Sequence, residues 1–399
     1  MHSMPASPLA TRTAAVIGGG LAGLAAAARL AHAGVRVTLF ERNAEPGGKL
    51  AALEIDGFRW DLGPSLLTLP GWLDELWHDC GQPGGCPVER VPLASACRYR
   101  WTDGTVLEED PAFWARPDCA ALLRDAEGIY KLSETAFLDE TPGRAWRRID
   151  ARSARLLRHL PTIANPRTLA AEIGRRFHDP HLAQIFLRFA TYNGSSPYRT
   201  PSAFLIIPYV EARFGAWFVR GGMERIPAAA AALARELGTE IRCGVTVDSV
   251  RRDGIAYSLA AAGESLGRYD AVVCNRDAVA ATAELLPPAH RRPPRPGRDP
   301  SLSGFVLLLG VRGTTATLGH HNILFSDDYP REFADLFDHA IPAQDPTIYI
   351  AISARTDPSR APAGDENWFV LVNAPATRPG LDWPAIAEDY ADRVIDRIG

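Results

Sequence analysis

The sequence has no closely spaced pair of cysteines. Its six cysteines are scattered through 399 residues, and none stands at the C-x-x-C spacing of a zinc site or a dithiol motif. They are Cys80, Cys86, Cys97, Cys119, Cys243 and Cys274. We therefore expect neither a disulfide framework nor a bound metal, and a reducing, cytoplasmic setting fits best.

Long apolar runs and an excess of one charge are also missing. No uncharged apolar stretch reaches the ~20 residues of a membrane-spanning helix. The opening MHSMPASPLATRT is polar, and three glycines break the apolar run after it, so we expect no signal peptide. Lys and Arg number 43 and Asp and Glu 47, which argues against a nucleic-acid-binding surface. Attachment to a membrane surface stays open.

The chain does have the material for a large core. Hydrophobic residues make up 46% of it, and 399 residues correspond to two ordinary domains.

A glycine-rich motif stands near the amino terminus. The apolar run 14–17 leads into GGGLAG at 18–23, and an Ala/Leu-rich stretch then ends at Gly34. This order predicts a strand, a tight turn and a helix. Residues 35–40 predict a second strand, which Glu41 closes. Together they form the pattern of a dinucleotide-binding unit.

Each residue type in this motif has its own physical reason. Gly18 permits the turn, Gly20 lets backbone amides approach a pyrophosphate, and Gly23 allows the helix to pack closely on the strand. The amino terminus of the helix then faces the anion. Glu41 stands where a ribose hydroxyl needs an acceptor, which suits either NAD or the ADP half of FAD.

The residues that follow distinguish the two cofactors. The order of the segments at 41–49 (ERNAEPGGK) and 57–65 (GFRWDLGPS) resembles the flavin-dependent amine oxidase and carotenoid desaturase superfamily. The resemblance implies FAD, with its pyrophosphate and ribityl chain along Gly47, Gly48 and Lys49, and with Gly63 and Pro64 near the flavin. No second G-x-G-x-x-G offers a nicotinamide site, so we expect the substrate to supply the electrons.

The resemblance also predicts how the chain is divided. We expect an FAD-binding domain at 12–75 and 215–285, and a substrate and membrane-contact domain at 76–214 and 286–399. The chain returns to the first domain through an alanine-rich helix ending near Gly238 and a strand-like stretch at 240–250. The resemblance implies that the backbone of Val247 contacts the adenine, although an ordinary role as a core valine is a nearly equal alternative.

Further motifs narrow the family. These are FATYNGSSPY at 189–198, TPSA at 200–203, RGGM at 220–223, HHNILFSDDY at 320–329 and DPTIY at 345–349. Together they resemble bacterial phytoene-type carotenoid desaturases, especially the hydroxyneurosporene and methoxyneurosporene desaturase branch, from Ala14 to about Pro375. The implied fold class is α/β, with a Rossmann-like FAD-binding domain and a mixed-sheet and helical substrate domain. The candidate cofactor-binding residues are Gly18, Gly20, Leu21, Ala22, Gly23, Glu41, Arg42, Gly47, Gly48, Lys49, Gly63, Pro64 and Val247.

The family implies an oxidoreductase that desaturates an acyclic carotenoid by hydride transfer to the flavin, at a membrane surface. Aromatic and branched residues crowd 186–218, as an apolar tunnel needs, although an ordinary core accounts for about half of them. Residues 201–210 or 66–77 could form a shallow membrane contact or be buried elements. The sequence identifies no catalytic base, since Glu211, Arg213 and Arg220 are candidates by location only.

Several alternatives stay open. A carotenoid isomerase, saturase or oxygenase would carry the same motifs. Because family members continue past the segment matching 395–399 with a glycine-rich turn and a helix, a truncated, non-catalytic flavin- or polyene-binding protein is a third hypothesis. Metal sites at His320-His321 and at His178 and His181 are rejected, because no cysteine or carboxylate set lies at ligand spacing.

Overall fold

A computed structural model of the chain describes residues 12–134, 166–291, 300–378 and 380–399. The sequence predicts a solvated helix face for the arginine-rich run at 144–158 and a loop for the Pro/Arg-rich stretch at 291–300. The run and most of the loop lie outside the described residues.

The described strands follow one another along the chain. They are β1 (Thr13–Ile17), β2 (Arg36–Phe40), β3 (Ala52–Ile55), β4 (Phe58–Asp61), β5 (Arg90–Pro92), β6 (Arg98–Arg100), β7 (Val106–Glu108), β8 (Trp217–Val219), β9 (Glu240–Arg242), β10 (Ser249–Asp253), β11 (Ala256–Ala261), β12 (Glu264–Tyr269), β13 (Ala271–Cys274), β14 (Ser303–Val311), β15 (His321–Leu324), β16 (Ile348–Ile352) and β17 (Glu366–Ala374).

The α-helices of the described residues connect these strands. They are α1 (Leu21–His32), α2 (Pro70–Asp79), α3 (Pro111–Trp114), α4 (Pro117–Ser133), α5 (Leu169–Arg176), α6 (Pro180–Arg188), α7 (Ile206–Phe214), α8 (Arg225–Glu236), α9 (Ala278–Glu284), α10 (Tyr329–Ala334) and α11 (Trp383–Ile398).

The chain divides into two compact units. Unit 1 comprises Met1–Val91 and Phe218–Arg298, and unit 2 comprises Pro92–Trp217 and Asp299–Gly399. The sequence predicts domain boundaries near 75, 215 and 285, and the two units change over after residues 91, 217 and 298.

Unit 1 is built on a parallel sheet with the strand order β13-β1-β2-β9. Strand β1 lies between two neighbours and is buried from Ala14 to Ile17. The glycine at 34, with φ +88°, ends α1 because its left-handed backbone lets Val35 bond back to the carbonyl of Leu30 at 3.0 Å. The strand, turn, helix and strand predicted at the amino terminus are all present.

Helices α1 and α8 cover one face of this sheet. Alanines of both helices, Ala27 and Ala28 of α1 with Ala230 and Ala234 of α8, belong to one buried cluster, so the helices approach closely. Helix α2 joins the cluster through Leu76 and Trp77. The continuous strand expected at 240–250 is wrong, because β9 ends at Arg242 and the chain turns at Gly244, with φ +72°, before β10 begins.

Unit 2 is built on a six-stranded mixed sheet with the order β14-β17-β16-β15-β6-β7. The sequence has three apolar segments, at 304–311, 347–354 and 368–375, whose patterns predict strands, and the structure forms β14, β16 and β17 there. Ile348, Ile350 and Ile352 alternate along β16 and are fully buried. Helix α11 packs on this core through Tyr390 and Val394.

Both units mix helices with sheets, which confirms the α/β class predicted from the sequence. None of the described helices combines the length and the apolar character needed to cross a bilayer.

Candidate cofactor site

A cavity of about 770 Å³ opens beside the carboxyl ends of β1 and β2 in unit 1. Parallel sheets bind dinucleotides at this edge. Ten of the candidate residues line it, namely Gly18, Gly20, Leu21, Ala22, Glu41, Arg42, Gly47, Gly48, Lys49 and Val247. The sequence pattern therefore identified most of one continuous surface.

Two glycines shape the first glycine turn. Gly18 has a φ of +100°, a backbone conformation that disfavours side chains. A Cβ on Gly23 would stand 2.0 Å from the carbonyl oxygen of Gly18, so α1 meets β1 only without a side chain there. Gly23 does not itself line the cavity, and it shapes the site through this packing.

The second glycine loop packs directly on the first. The amide of Gly47 donates to the carbonyl of Gly19 at 3.0 Å, and a Cβ on Gly48 would meet the Cα of Gly20 at 3.0 Å. A Cβ on Gly63 would stand 2.0 Å from the carbonyl oxygen of Lys49. Gly63 thus packs against the backbone of Lys49, which a side chain at residue 63 would displace. Neither it nor the exposed Pro64 lines the cavity.

Glu41 ties the two loops to the end of β2. Its side chain is buried, with Oε2 accepting the Gly19 amide at 2.6 Å and Oε1 accepting the Asn43 amide at 2.9 Å. Each carboxylate oxygen can accept a second hydrogen bond, so the group can bind a ribose hydroxyl while it holds the glycine turn.

The electrostatics of the cavity favour an anion. Helix α1 begins beside it with no side-chain cap and no acidic residue in its first turn, so amides at its amino terminus are available. Arg42, Lys49 and Arg276 add positive charge to the lining. A pyrophosphate suits this combination of free amides and cations.

Sequence reasoning missed the polar residues after β13. Asn275 and Arg276 line the cavity next to the glycine turn, and the Asn275 amide donates to the carbonyl of Ile17 at 2.8 Å. The Asn275 side-chain nitrogen lies 3.0 Å from where a Cβ on Gly20 would stand. Their signal was available, because the apolar run at 271–274 predicts a strand over 269–275 and residues at the carboxyl ends of adjacent parallel strands meet.

Comparison with known proteins identifies the family. The family model described as flavin containing amine oxidoreductase matches residues 21–307. The chain belongs to this family.

Among curated relatives of this flavoprotein are bacterial carotenoid enzymes. A 1-hydroxycarotenoid 3,4-desaturase of a Flavobacterium is 33% identical over 97% of this chain and 81% of its own. A zeta-carotene-forming phytoene desaturase of Myxococcus xanthus is 34% identical over 93% and 74%. A 4,4'-diapolycopene oxygenase of a Methylomonas is 35% identical over 96% and 80%. These relatives confirm the bacterial carotenoid desaturase family predicted from the motifs.

Solved structures agree on the fold. A Pyrococcus furiosus protein superposes with a TM-score of 0.66 at 17% identity, covering 97% of this chain and 84% of its own. Cyclohexylamine oxidase from Brevibacterium oxydans superposes with a TM-score of 0.56 at 16% identity, covering 97% and 80%. At these identities the likeness concerns the fold alone.

The cofactor of the flavoprotein is FAD, as the motifs predicted. The cavity fits this group on three counts. Gly20 and Gly48 line the cavity with backbone alone, the amino terminus of α1 suits the pyrophosphate, and buried Glu41 suits the ribose. Val247 is 3% exposed, so it is both a core residue and part of the lining.

Unit 2 of the flavoprotein contains a buried polar cluster. Arg188 and Glu211 are each at least 90% buried. Arg188 donates to the Tyr99 hydroxyl at 2.9 Å and Tyr99 donates to Glu109, while the Tyr192 hydroxyl donates to Glu211 at 2.8 Å. Glu211 was a candidate base by location only, and the structure shows its partners. Arg213 lies over the ring of Phe214, and the exposed Arg220 pairs with Glu89 in unit 1.

The two histidine motifs have ordinary partners. His321 Nδ1 lies 2.7 Å from the Tyr349 hydroxyl, and burial lowers the pKa of His320 to about 4. His181 Nε2 lies 2.9 Å from an Asp103 oxygen. Over the described ranges, no three His, Cys, Asp or Glu side chains converge as metal ligands would.

The aromatic segment contributes heavily to the core of unit 2. Phe186 and Phe189 are fully buried, and Phe186 stacks on Phe177 with ring centroids 4.5 Å apart. These side chains belong to packing, as the ordinary-core alternative expected for part of the segment.

Proposed function

We propose that this flavoprotein desaturates an acyclic carotenoid of the phytoene or hydroxyneurosporene type, with FAD held in the glycine-lined cavity of unit 1. The observation that carries the proposal is the combination of that cavity with 33% and 34% identity to two carotenoid desaturases over nearly the whole chain. Neither part suffices alone, because the fold supports other oxidations and because identity does not show a cofactor site.

Different residues of unit 1 bind different parts of the cofactor. Amides at the start of α1, with Arg42 and Lys49 nearby, bind the pyrophosphate, and Glu41 accepts from the ribose. Val247, which lines the cavity, would contact the adenine, and Gly63 would hold the backbone of Lys49 in place. When bound, FAD supplies a hydride acceptor, and the protein supplies orientation and a dry environment.

The substrate requires a surface that contacts a membrane, and we place this surface on unit 2. An acyclic carotenoid has negligible solubility in water, so the protein must take it from a bilayer. Within the segment 201–210, Phe204, Ile206 and Ile207 are half-buried, and the last two begin helix α7. We assign the shallow membrane contact to this segment in preference to 66–77, because Leu76 and Trp77 pack into the core of unit 1.

Binding to vesicles tests the membrane contact. Ile207→Asp should weaken cosedimentation with phospholipid vesicles, while Ile255→Asp, at a residue 91% exposed in unit 1, should not. Equal binding of both variants and the wild type would contradict the assignment.

A carotenoid oxygenase is the second candidate. It is favoured by the 35% identity to the Methylomonas oxygenase, which is slightly above the 33% and 34% identity to the two desaturases. The cofactor cavity serves both reactions.

Expression in hosts that accumulate phytoene or hydroxyneurosporene separates the candidates. A desaturase extends conjugation with no change in oxygen content, and an oxygenase incorporates ¹⁸O from ¹⁸O₂. Loss of conjugation would indicate a saturase, and altered double-bond geometry alone an isomerase. Unchanged pigments, with a bound flavin that substrate never reduces, would indicate a non-catalytic protein.

A further inference from the structure

Backbone pairing fixes the residue after strand β13 beside the first glycine turn of unit 1. Strands β13 and β1 run parallel, with Cys274 opposite Ile17. The pairing continues one residue further, because the Asn275 amide donates to the Ile17 carbonyl at 2.8 Å. A Cβ on Gly18 would stand 3.5 Å from the carbonyl oxygen of Asn275 and 3.6 Å from its Cβ. The side chain of Asn275 therefore starts at the turn itself.

The carboxamide of Asn275 occupies space that side chains on the glycine motif would take. Its Nδ2 lies 3.0 Å from where a Cβ on Gly20 would stand and 3.1 Å from where a Cβ on Gly23 would stand. Helix α1 begins at Leu21, between these two glycines. The carboxamide nitrogen is thus held beside the start of the helix, and side chains at residues 20 and 23 would displace it.

This carboxamide has unused capacity for hydrogen bonds. An asparagine side chain carries two N–H donors and one carbonyl acceptor. No hydrogen bond joins the side chain of Asn275 to another residue in the part of the chain that the structure describes. The residue is half-buried and lines the cavity of about 770 Å³. Its donors are therefore available to a ligand in that cavity.

The groups around Asn275 favour an anion as that ligand. The first two residues of α1 line the same cavity, and their amides have no partner within the helix. Arg276, next along the chain, adds a positive charge to the lining, although it also pairs with Glu284 of α9. The carboxylates of Glu41 and Asp277 each already accept two backbone amides. Donors and cations thus remain for a negatively charged group.

We propose that Asn275 is a cofactor-binding residue whose carboxamide donates to the FAD pyrophosphate. The inference rests on the proposed function, which places FAD in this cavity. The amides of α1 follow strand β1, and Asn275 follows strand β13, so two adjacent strands each supply donors to one anion. Gly20 and Gly23 then have a second role, because they make room for this side chain as well as for the turn.

A purely structural role is the alternative, in which the carboxamide only packs against the glycines. Asn275→Asp separates the two roles, because aspartate keeps the size of asparagine and exchanges its N–H donors for a negative charge. A carboxylate beside the amino terminus of a helix stabilises the empty protein, but it repels a pyrophosphate. Ligand affinity should therefore fall in this variant while stability without ligand does not.

Titration calorimetry on the full chain, freed of FAD, tests the inference with ADP and adenosine. ADP carries a pyrophosphate and adenosine does not, so the comparison isolates the contribution of that group. Asn275→Ala should weaken ADP binding about tenfold to a hundredfold, as for loss of a hydrogen bond to a charged group. Asn275→Asp should weaken it further, while its unfolding temperature without ligand equals or exceeds that of wild type. Adenosine should bind wild type and both variants equally.

Ser265→Asp is the matched control for the added charge. Ser265 is an exposed residue of β12 in unit 1 and does not line the cavity. The variant carries the same extra negative charge as Asn275→Asp, so it should bind ADP as wild type does. Added salt should reduce the defect of Asn275→Asp, because ions screen the repulsion between its carboxylate and the pyrophosphate.

The outcomes separate the inference from the function it rests on. If wild type binds ADP no more tightly than adenosine, or if ADP does not displace FAD, the proposed placement of FAD fails and the role of Asn275 falls with it. If wild type binds ADP as expected and both variants at residue 275 match it, only the assignment of Asn275 is overturned. A loss of stability in the empty Asn275→Asp protein would overturn it in favour of the structural role.

Discussion

The Cα of Gly23 lies so close to the carbonyl of Gly18 that a Cβ at residue 23 would stand 2.0 Å from the Gly18 oxygen. Real Cβ atoms essentially never approach closer than 3.0 Å. The start of α1 and the end of β1 can therefore meet only because residue 23 has no side chain. This contact sets the position of the helix amides that face the cofactor cavity.

Gly23→Ala should consequently weaken FAD binding and destabilise unit 1. We expect a loss of about 1–3 kcal/mol in the free energy of unfolding, as for other overpacked cores. Gly71→Ala is the control, because no atom lies within 4 Å of its added Cβ on α2. Thermal unfolding and quenching of flavin fluorescence measure the two effects, and equal behaviour of both variants would refute the close contact.

Glu41→Gln should disturb the site although it preserves shape. Both carboxylate oxygens accept backbone amides, from Gly19 and Asn43, whereas the glutamine amide must present one N–H group to a donor. We expect a loss of about 1–3 kcal/mol in stability and weaker FAD binding. The exposed Glu45 provides the control Glu45→Gln. Denaturant unfolding with and without FAD checks the prediction, which fails if Glu41→Gln retains full stability.

Lys49→Ala should reduce FAD affinity in a salt-dependent way. The exposed Lys49 lines the cavity, so its attraction to a pyrophosphate is partly screened by ions. We expect the difference in FAD affinity between wild type and variant to shrink as salt rises from about 0.05 to about 0.5 M, because the Debye length shortens. Titration calorimetry at both salt concentrations measures this. Arg251→Ala, on exposed β10, should match wild type throughout.

Glu332 gives unit 2 a dependence on pH. This residue of α10 is 2% exposed, and its Oε2 accepts the Thr347 hydroxyl at 2.6 Å. Burial raises its pKa to about 7, from an ordinary value of 4.5. Between these two values the folded protein binds more protons at this site than the unfolded chain does. Stability from this group is therefore present below pH 4.5 and is lost as pH rises to about 7.

Glu332→Gln should remove this loss. The contribution is roughly 3–4 kcal/mol across the interval from pH 4.5 to about 7, from about 1.4 kcal/mol for each unit of pKa difference. The free energy of unfolding, measured in denaturant at several pH values, should fall less steeply in the variant than in wild type. Glu388→Gln, at an exposed residue of α11, should keep the wild-type slope. Parallel slopes for Glu332→Gln and wild type would be evidence against a buried, protonated Glu332.

Local patterns predicted the cofactor half of the molecule well. The glycines at 18, 20 and 23 have roles that follow from backbone sterics, and the alternation around Ile348 to Ile352 marks a buried strand. Such features depend on neighbours in the sequence, so the sequence displays them directly. Ten of the thirteen candidate cofactor residues line one cavity for this reason.

Long-range contacts were harder to predict. Asn275 reaches the glycine turn only because β13 pairs with β1, more than 250 residues away in the chain. Arg188 donates to the Tyr99 hydroxyl, 89 residues away in the chain, and no local pattern encodes this contact. The break at Gly244 was missed because a glycine inside a strand-like stretch is compatible with both a strand and a turn.

Anaerobic mixing of the FAD-loaded protein with an acyclic carotenoid in vesicles tests the central claim most directly. We expect the absorbance of oxidised flavin to bleach while the polyene spectrum moves to longer wavelength, with one two-electron reduction for each new double bond. A flavin that stays oxidised with every acyclic carotenoid offered would contradict the claim, as would a protein that holds no FAD.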